Sequence, residues 1–164
     1  IDAHATNIAI HLTESGINKI EIVDNGCGMD EVDAIMAFSR HATSKIRSAD
    51  DLESVKSMGF RGEALASIAA IANVEMVSKT EEQEIGYKVV VEAGDVLEKE
   101  EAGCRTGTTI TVRNLFFNTP VRYKFLKKDY TESGYIEDVI TRIALVNPNV
   151  AIKIANNTFL IWTD

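Results

Sequence analysis

The sequence predicts an α+β fold, a two-layer sandwich in which helices cover one face of a mostly antiparallel mixed sheet. Three observations carry this prediction. Short segments alternate apolar and polar residues with a period of two, which is typical of half-buried strands. Turn residues such as Ser15-Gly16 and Ala93-Gly94-Asp95 join successive strands as hairpins. Helical segments lie in groups between the hairpins, which favours this class over a doubly wound parallel sheet.

The individual elements follow from the same patterns. We expect strands over residues 8–12, 19–23, 74–78, 87–92, 96–100, 108–113, 151–154 and 158–162. Asp30 is placed to cap a first helix, and an Ala-rich apolar segment predicts a buried helix. The predicted helices cover residues 31–38, 51–56, 63–72, 118–128 and 135–146.

Composition limits the possible functions of the chain. Its 164 residues, 45% of them hydrophobic, form one domain of ordinary size with a real core. The net charge of −8 disfavours non-specific DNA binding. The basic run Arg122, Lys124, Lys127 and Lys128 is either a local DNA-facing patch or a solvated helix face.

Cellular location is predicted from cysteine usage and hydropathy. Cys27 and Cys104 lack metal-ligand spacing, so we expect reduced thiols in a cytoplasmic protein of the bacterial cytosol or nucleoid. The longest apolar stretches are too short to cross a bilayer, and we expect no membrane partner.

Two glycine-containing loops and one strand entry are candidates for ligand contacts. Residues 24–29, Asp-Asn-Gly-Cys-Gly-Met, follow a strand, and Asp24 can accept hydrogen bonds from an amino group. Residues 59–63, Gly-Phe-Arg-Gly-Glu, precede a helix whose first amides favour anions. Taken singly, each loop is also compatible with a simple turn, and Gly107-Thr108-Thr109 with an ordinary strand start.

The order of these segments resembles the motif series of the GHKL ATPases. That superfamily includes gyrase-type topoisomerases, heat-shock chaperones, histidine kinases and MutL proteins. The matching segments are residues 1–3, 24–29, 59–65 and 107–109. Residues 40–45, Arg-His-Ala-Thr-Ser-Lys, and residues 118–126, Asn-Thr-Pro-Val-Arg-Tyr-Lys-Phe-Leu, are similar to the MutL-type mismatch repair branch in particular.

The resemblance implies roles for individual residues. Asp24 would accept the adenine amino group, Gly28 would let the backbone approach the base, and Thr109 would support the same contact. A lid that closes over the phosphates would comprise Thr43, Ser44, Lys45, Gly59, Phe60, Arg61, Gly62, Glu63, Ala64 and Leu65.

The resemblance also implies what the chain lacks. In this family, a Glu that activates water and an Asn that helps to hold Mg²⁺ precede the pair matched by Asp2-Ala3. Both would lie ahead of Ile1, and a phosphate-contacting Lys would lie beyond Asp164. We therefore expect residues 1–164 to be an ATP-binding domain without its N-terminal helix and the domain that follows. We assign no catalytic or metal-binding residue and expect no measurable hydrolysis.

The function implied by the resemblance is an ATP-operated switch in mismatch repair. ATP, with Mg²⁺ in the intact protein, would order the lid and drive formation of a homodimer. The full-length protein would communicate with a MutS-type recognition protein and with DNA. Two alternatives stay open: a non-hydrolysing module that binds a partner or DNA, and the ATPase domain of another GHKL branch such as a topoisomerase subunit.

Overall fold

A computed structural model describes residues 1–39 and 63–156 of the chain, together with the backbone of residues 159–161. The strands in these ranges are β1 (Asn7–Thr13), β2 (Lys19–Asp24), β3 (Asn73–Lys79), β4 (Gly86–Glu92), β5 (Asp95–Ala102), β6 (Gly107–Arg113), β7 (Ala151–Asn156) and β8 (Phe159–Ile161). The helices are α1 (Glu31–Met36), α2 (Ala64–Ala69), α3 (Pro120–Lys124) and α4 (Asp129–Leu145), and a 3-10 turn covers Glu14–Gly16.

The strands form one mixed sheet in the order β5-β4-β3-β6-β2-β1-β7-β8. Strand β1 pairs with β7 in parallel, and the other pairings in the described residues are antiparallel. The predicted α+β class with a mostly antiparallel mixed sheet is confirmed. Because β6 lies between β2 and β3, segments distant in sequence meet at the end of the sheet where β2 finishes.

The core lies where α1 and α2 cover β3 and β4. Asp30 caps α1, since its Oδ1 accepts a hydrogen bond from the backbone N–H of Asp33 at 2.9 Å. Small alanines on the helices let them lie close to the sheet. The core consists of Ala34, Ala69, Ala72, Val74, Met76, Val89 and Val91, each at most 2% exposed.

Helix boundaries differ from the prediction in the second half of the chain. Helix α3 ends at Lys124, and α4 begins at Asp129, six residues before the predicted start. The Glu132 carboxylate accepts a hydrogen bond from the backbone N–H of Lys127 at 2.7 Å, which fixes the turn between these helices. The polar first turns of α4 hid this helix start in the sequence. The predicted helix over 51–56 lies outside the described residues.

Candidate functional site

The end of strand β2 presents the carboxylate of Asp24 beside strand β6. Asp24 Oδ1 accepts hydrogen bonds from the backbone N–H groups of Gly26, at 2.8 Å, and Thr108, at 3.3 Å. Within the described part of the chain, the second oxygen, Oδ2, takes no hydrogen bond. Asp24 is half-buried, so Oδ2 is an acceptor held in a defined place and still available.

Glycines in this region allow backbone to pack directly on backbone. Gly28 has a φ of +70°, and a Cβ there would lie 1.9 Å from the carbonyl oxygen of Lys79. Gly107 has a φ of +123°, and its Cβ would lie 2.1 Å from the carbonyl oxygen of Asp24. Both positions combine a conformation that side chains rarely adopt with a contact that leaves no room for one. The loop after β2 is therefore held tightly against the ends of β3 and β6.

Asn25 ties the same loop to the first residues of the chain. Its Oδ1 accepts hydrogen bonds from the backbone N–H groups of Thr6 and Asn7, both at 2.9 Å. Its Nδ2 donates to Thr6 Oγ1 at 2.8 Å. The backbone N–H of Cys27 donates to the Ala3 carbonyl at 2.9 Å. Asp2-Ala3 and residues 24–29, two segments of the same motif series, are thus adjacent in space.

Ser78 joins the loop to β6, a role that no sequence pattern indicated. Ser78 is fully buried at the end of β3. Its Oγ accepts a hydrogen bond from the backbone N–H of Met29 at 2.8 Å, and lies 2.8 Å from Thr108 Oγ1 and 3.0 Å from the Gly107 carbonyl. A single serine among ordinary strand residues carries no local signal of such a junction.

The structure brings Thr108, and not Thr109, to Asp24. The register pairs Asp24 with Thr108, while Thr109 pairs with Val23 on β2. Because successive side chains on a strand point to opposite faces, Thr109 lies on the face away from Ser78. The residue beside Asp24 is therefore Thr108, which is 9% exposed, and the adenine contact expected from Thr109 stays a prediction.

A cavity of about 450 Å³ adjoins the same end of the sheet. The ends of β1, β2 and β7 line it, with Asp24, Asn25 and Arg105 at its rim. Its lining is mainly apolar on the side of Ala9 and Val23, which is the opposite sheet face from Ser78. The Asp24 carboxylate thus lies at the border between the helix-covered face and this open one.

Residues 1–113 match the family described as histidine kinase-, DNA gyrase B- and HSP90-like ATPases. That span includes Asp24, Gly28, Ser78 and Thr108. The chain belongs to this ATPase family. The resemblance first noted in its motifs is therefore confirmed at the family level.

Relatives place this ATPase-family chain beside MutL proteins. The DNA mismatch repair protein MutL of Caldanaerobacter subterraneus subsp. tengcongensis is 51% identical over 153 residues, which are 93% of this chain and 26% of that protein. MutL of Thermoanaerobacter pseudethanolicus is 55% identical over 153 residues, with 93% and 25% coverage. The chain thus spans about a quarter of the length of these relatives.

Solved structures agree with this placement. The MutL ATPase domain of Aquifex aeolicus complexed with ADP superposes with a TM-score of 0.73 at 30% identity, covering 99% of this chain and 58% of that one. The N-terminal domain of a DNA repair protein gives a TM-score of 0.78 at 31% identity, with 94% and 44% coverage. The suspected MutL-type resemblance is confirmed.

Most of the predicted lid of this ATPase-family chain lies outside the described residues. These positions are Thr43, Ser44, Lys45, Gly59, Phe60, Arg61 and Gly62. Glu63 precedes α2 and accepts a backbone hydrogen bond from Ser67, and Ala64 is the first residue of that helix. Leu65 packs against the core of α1, α2, β3 and β4. Leu65 therefore has a packing role here, and the lid role of all ten positions stays a prediction.

The thiol of Cys104 is poorly suited to nucleophilic catalysis. Cys104 Sγ lies beside Gly86, where an added Cβ would come within 2.3 Å of it. Burial raises the pKa of the Cys104 thiol, and the positive charge of Lys79 lowers it by less. A raised pKa keeps this thiol protonated near neutral pH, so it is a poor nucleophile.

The described ranges contain neither a cluster of metal ligands nor a membrane-spanning helix. Residues 1–39 and 63–156 contain no group of three or more His, Cys, Asp or Glu side chains that could hold a metal ion. No helix in these ranges is long and apolar enough to span a membrane.

Proposed function

We propose that the chain is the adenine-nucleotide-binding domain of a MutL-like mismatch repair protein. The observation that carries this proposal is the Asp24 carboxylate, whose Oδ1 is fixed by two backbone N–H groups while Oδ2 remains free to accept. A free, oriented acceptor suits the exocyclic amino group of adenine. The ADP complex of the Aquifex aeolicus MutL domain supports this assignment.

The described residues of the site are suited to recognising the base of the nucleotide. Asp24 Oδ2 would accept from the adenine amino group, and Thr108 offers a hydroxyl on the same face of the sheet. Guanine places a carbonyl oxygen where adenine has its amino group, and a carboxylate would repel it. Asp24 is engaged in recognition, so we assign binding and no water activation to the described residues.

Mg²⁺ does not fit the described residues as a protein-held ion. Mg²⁺ prefers carboxylate oxygens together with phosphates and waters. The described part of the chain contains no cluster of acidic ligands. Asp24 Oδ1 accepts from two backbone N–H groups, and the proposal assigns Oδ2 to the adenine amino group. We therefore assign no Mg²⁺ ligand to the described residues.

Nucleotide binding would operate a switch in the full-length protein. ATP would order the segments 43–45 and 59–65 over the phosphates and drive homodimerisation, which would signal to a MutS-type protein and to DNA. The identity of 51–55% to MutL proteins supports this branch over a topoisomerase subunit. The two free cysteines and the bacterial relatives support a cytoplasmic location.

Calorimetric titration tests the nucleotide site. ADP and a non-hydrolysable ATP analogue, each with and without Mg²⁺, should bind the protein, and Asp24→Ala should lower the affinity at least about tenfold, because a hydrogen bond to a charged group is lost. Asp33→Ala is the matched control, since Asp33 is exposed on α1, away from Asp24. Equal affinity in the Asp24 and Asp33 variants would reject the proposal.

A second proposal concerns DNA, and one surface favours it. Arg122, Lys124, Lys127 and Lys128 are all exposed, and none makes an ion pair within the described ranges. Phe125 lies among them and Tyr130 follows them, and these two aromatic side chains are 74% and 77% exposed. Cations interleaved with exposed aromatic rings suit nucleic-acid backbones and unstacked bases.

Salt-dependent DNA binding tests this surface. Changing Lys127 and Lys128 together to Glu should reduce binding to single-stranded DNA and flatten its dependence on salt, because fewer counterions are released. The paired change of Lys99 and Lys153 to Glu, on distant strands, controls for net charge. A loss of equal size in the control would show that overall charge alone is responsible.

A further inference from the structure

Ser78 occupies a position from which two hydroxyl groups can be oriented. Its Oγ contacts Met29 N, Gly107 O and Thr108 Oγ1 at 2.8, 3.0 and 2.8 Å. Met29 N–H can only donate and the Gly107 carbonyl can only accept, whereas a hydroxyl can do either. Ser78 carries a single hydrogen, so it can donate either to the Gly107 carbonyl or to the Thr108 hydroxyl, and not to both.

One arrangement satisfies every group without a ligand. Ser78 donates its single hydrogen to the Gly107 carbonyl and accepts from both Met29 N–H and the Thr108 hydroxyl. Because Ser78 is fully buried, these partners replace the hydrogen bonds that water would supply.

The reversed arrangement suits a bound base. If Ser78 donates its hydrogen to Thr108 instead of to the Gly107 carbonyl, the Thr108 hydrogen no longer points at Ser78 and is free to donate to a ligand. The backbone N–H of Thr108 donates to Asp24 Oδ1, so this hydroxyl belongs to the residue beside Asp24. Thr108 then becomes a donor next to the free acceptor of Asp24. Adenine presents a complementary pair on its edge, the amino donor and the N1 acceptor, whereas guanine presents a donor at N1.

We propose that Ser78 is a specificity-determining positioning residue that holds the Thr108 hydroxyl so that it donates to the N1 acceptor of an adenine base. This inference rests on the proposed adenine site. Ser78 acts through Thr108, because Ser78 is fully buried while Thr108 keeps a 9% exposed surface beside Asp24. The relay thus adds a second point of base recognition to the Asp24 carboxylate.

A nucleotide that lacks only the N1 acceptor tests the hydrogen bond from Thr108 to the base. In 1-deaza-ADP, a C–H group replaces N1 and the amino group remains. We expect the wild-type protein to bind 1-deaza-ADP about five- to tenfold more weakly than ADP, the value of one neutral hydrogen bond. In Ser78→Ala, the ratio of the two dissociation constants should fall towards one.

The controls separate positioning from folding. Thr108→Val should give the same ratio as Ser78→Ala, and Thr111→Val, which removes a buried hydroxyl on the other face of β6, should keep the wild-type ratio. A purely structural defect would weaken both nucleotides equally and leave the ratio unchanged, which would overturn the inference. If Ser78→Ala does not fold, Ser78→Cys, with a weaker hydrogen-bonding group of similar size, should show a reduced ratio.

The two proposals fail in different ways. Absence of ADP binding by the wild-type protein would reject the adenine site as a whole. ADP binding that depends on Asp24, with an unchanged 1-deaza ratio in Ser78→Ala, would reject the relay and leave the adenine site standing.

Discussion

Strands in both halves of the sheet alternate apolar and polar residues, but their apolar side chains are buried to different extents. Under α1 and α2, Val74, Met76 and Val89 have no exposed surface. In the half that α4 adjoins, Ile22 on β2 is 39% exposed, and α4 buries none of its residues within the described structure. Periodicity therefore determines which residues form strands and helices, whereas burial depends on which layer lies over them.

Truncation of one strand side chain in each half should reveal the largest difference between the two halves. Met76→Ala removes a fully buried side chain and should lower the free energy of unfolding by about 2–5 kcal/mol. Ile22→Ala removes a side chain that water already reaches, and should cost about 1 kcal/mol. Chemical denaturation of both variants measures the difference. Equal losses would mean that Ile22 is covered in solution as fully as Met76.

The sequence was most informative where local chemistry determines structure. Asp24 and Gly28 were identified because a strand followed by a loop of Asp, Asn and Gly is a local pattern, and the structure places both at the end of β2. Asp30 was likewise identified as a helix cap from its position alone.

Long-range register explains what the sequence did not show. Thr108 and Thr109 are chemically identical neighbours, and only the pairing of β6 with β2 decides which one faces Asp24. Ser78 lies 49 residues from Met29 and 30 from Thr108, so its junction exists only once β3, β6 and the loop have assembled. The start of α4 depended on a side chain reaching back to Lys127. Each of these features depends on a specific contact, which no periodic pattern encodes.

Substitution of two glycines by alanine should change the stability of the protein in opposite directions. Gly28→Ala forces a side chain into a left-handed conformation, which alone costs about 1–2 kcal/mol, and drives its Cβ into the Lys79 carbonyl. Gly134 lies within α4, and a Cβ there meets nothing within 4 Å. Gly134→Ala should therefore stabilise the protein by about 0.5–1 kcal/mol through helix propensity.

Thermal unfolding and ADP titration measure the effects of the two substitutions on stability and on nucleotide binding. Gly28→Ala should lower the melting temperature and weaken ADP binding, because the loop that orients Asp24 must move away from β3. Gly134→Ala should raise the melting temperature slightly and leave ADP affinity unchanged, since α4 contacts the 3-10 turn before β2, whereas Asp24 lies at the other end of that strand. If Gly28→Ala retained full affinity, the close packing of this loop on β3 would not be what holds Asp24 in place. A loss of stability in Gly134→Ala would instead show that the surface of α4 is covered in solution, and the contrast between the two halves would then disappear.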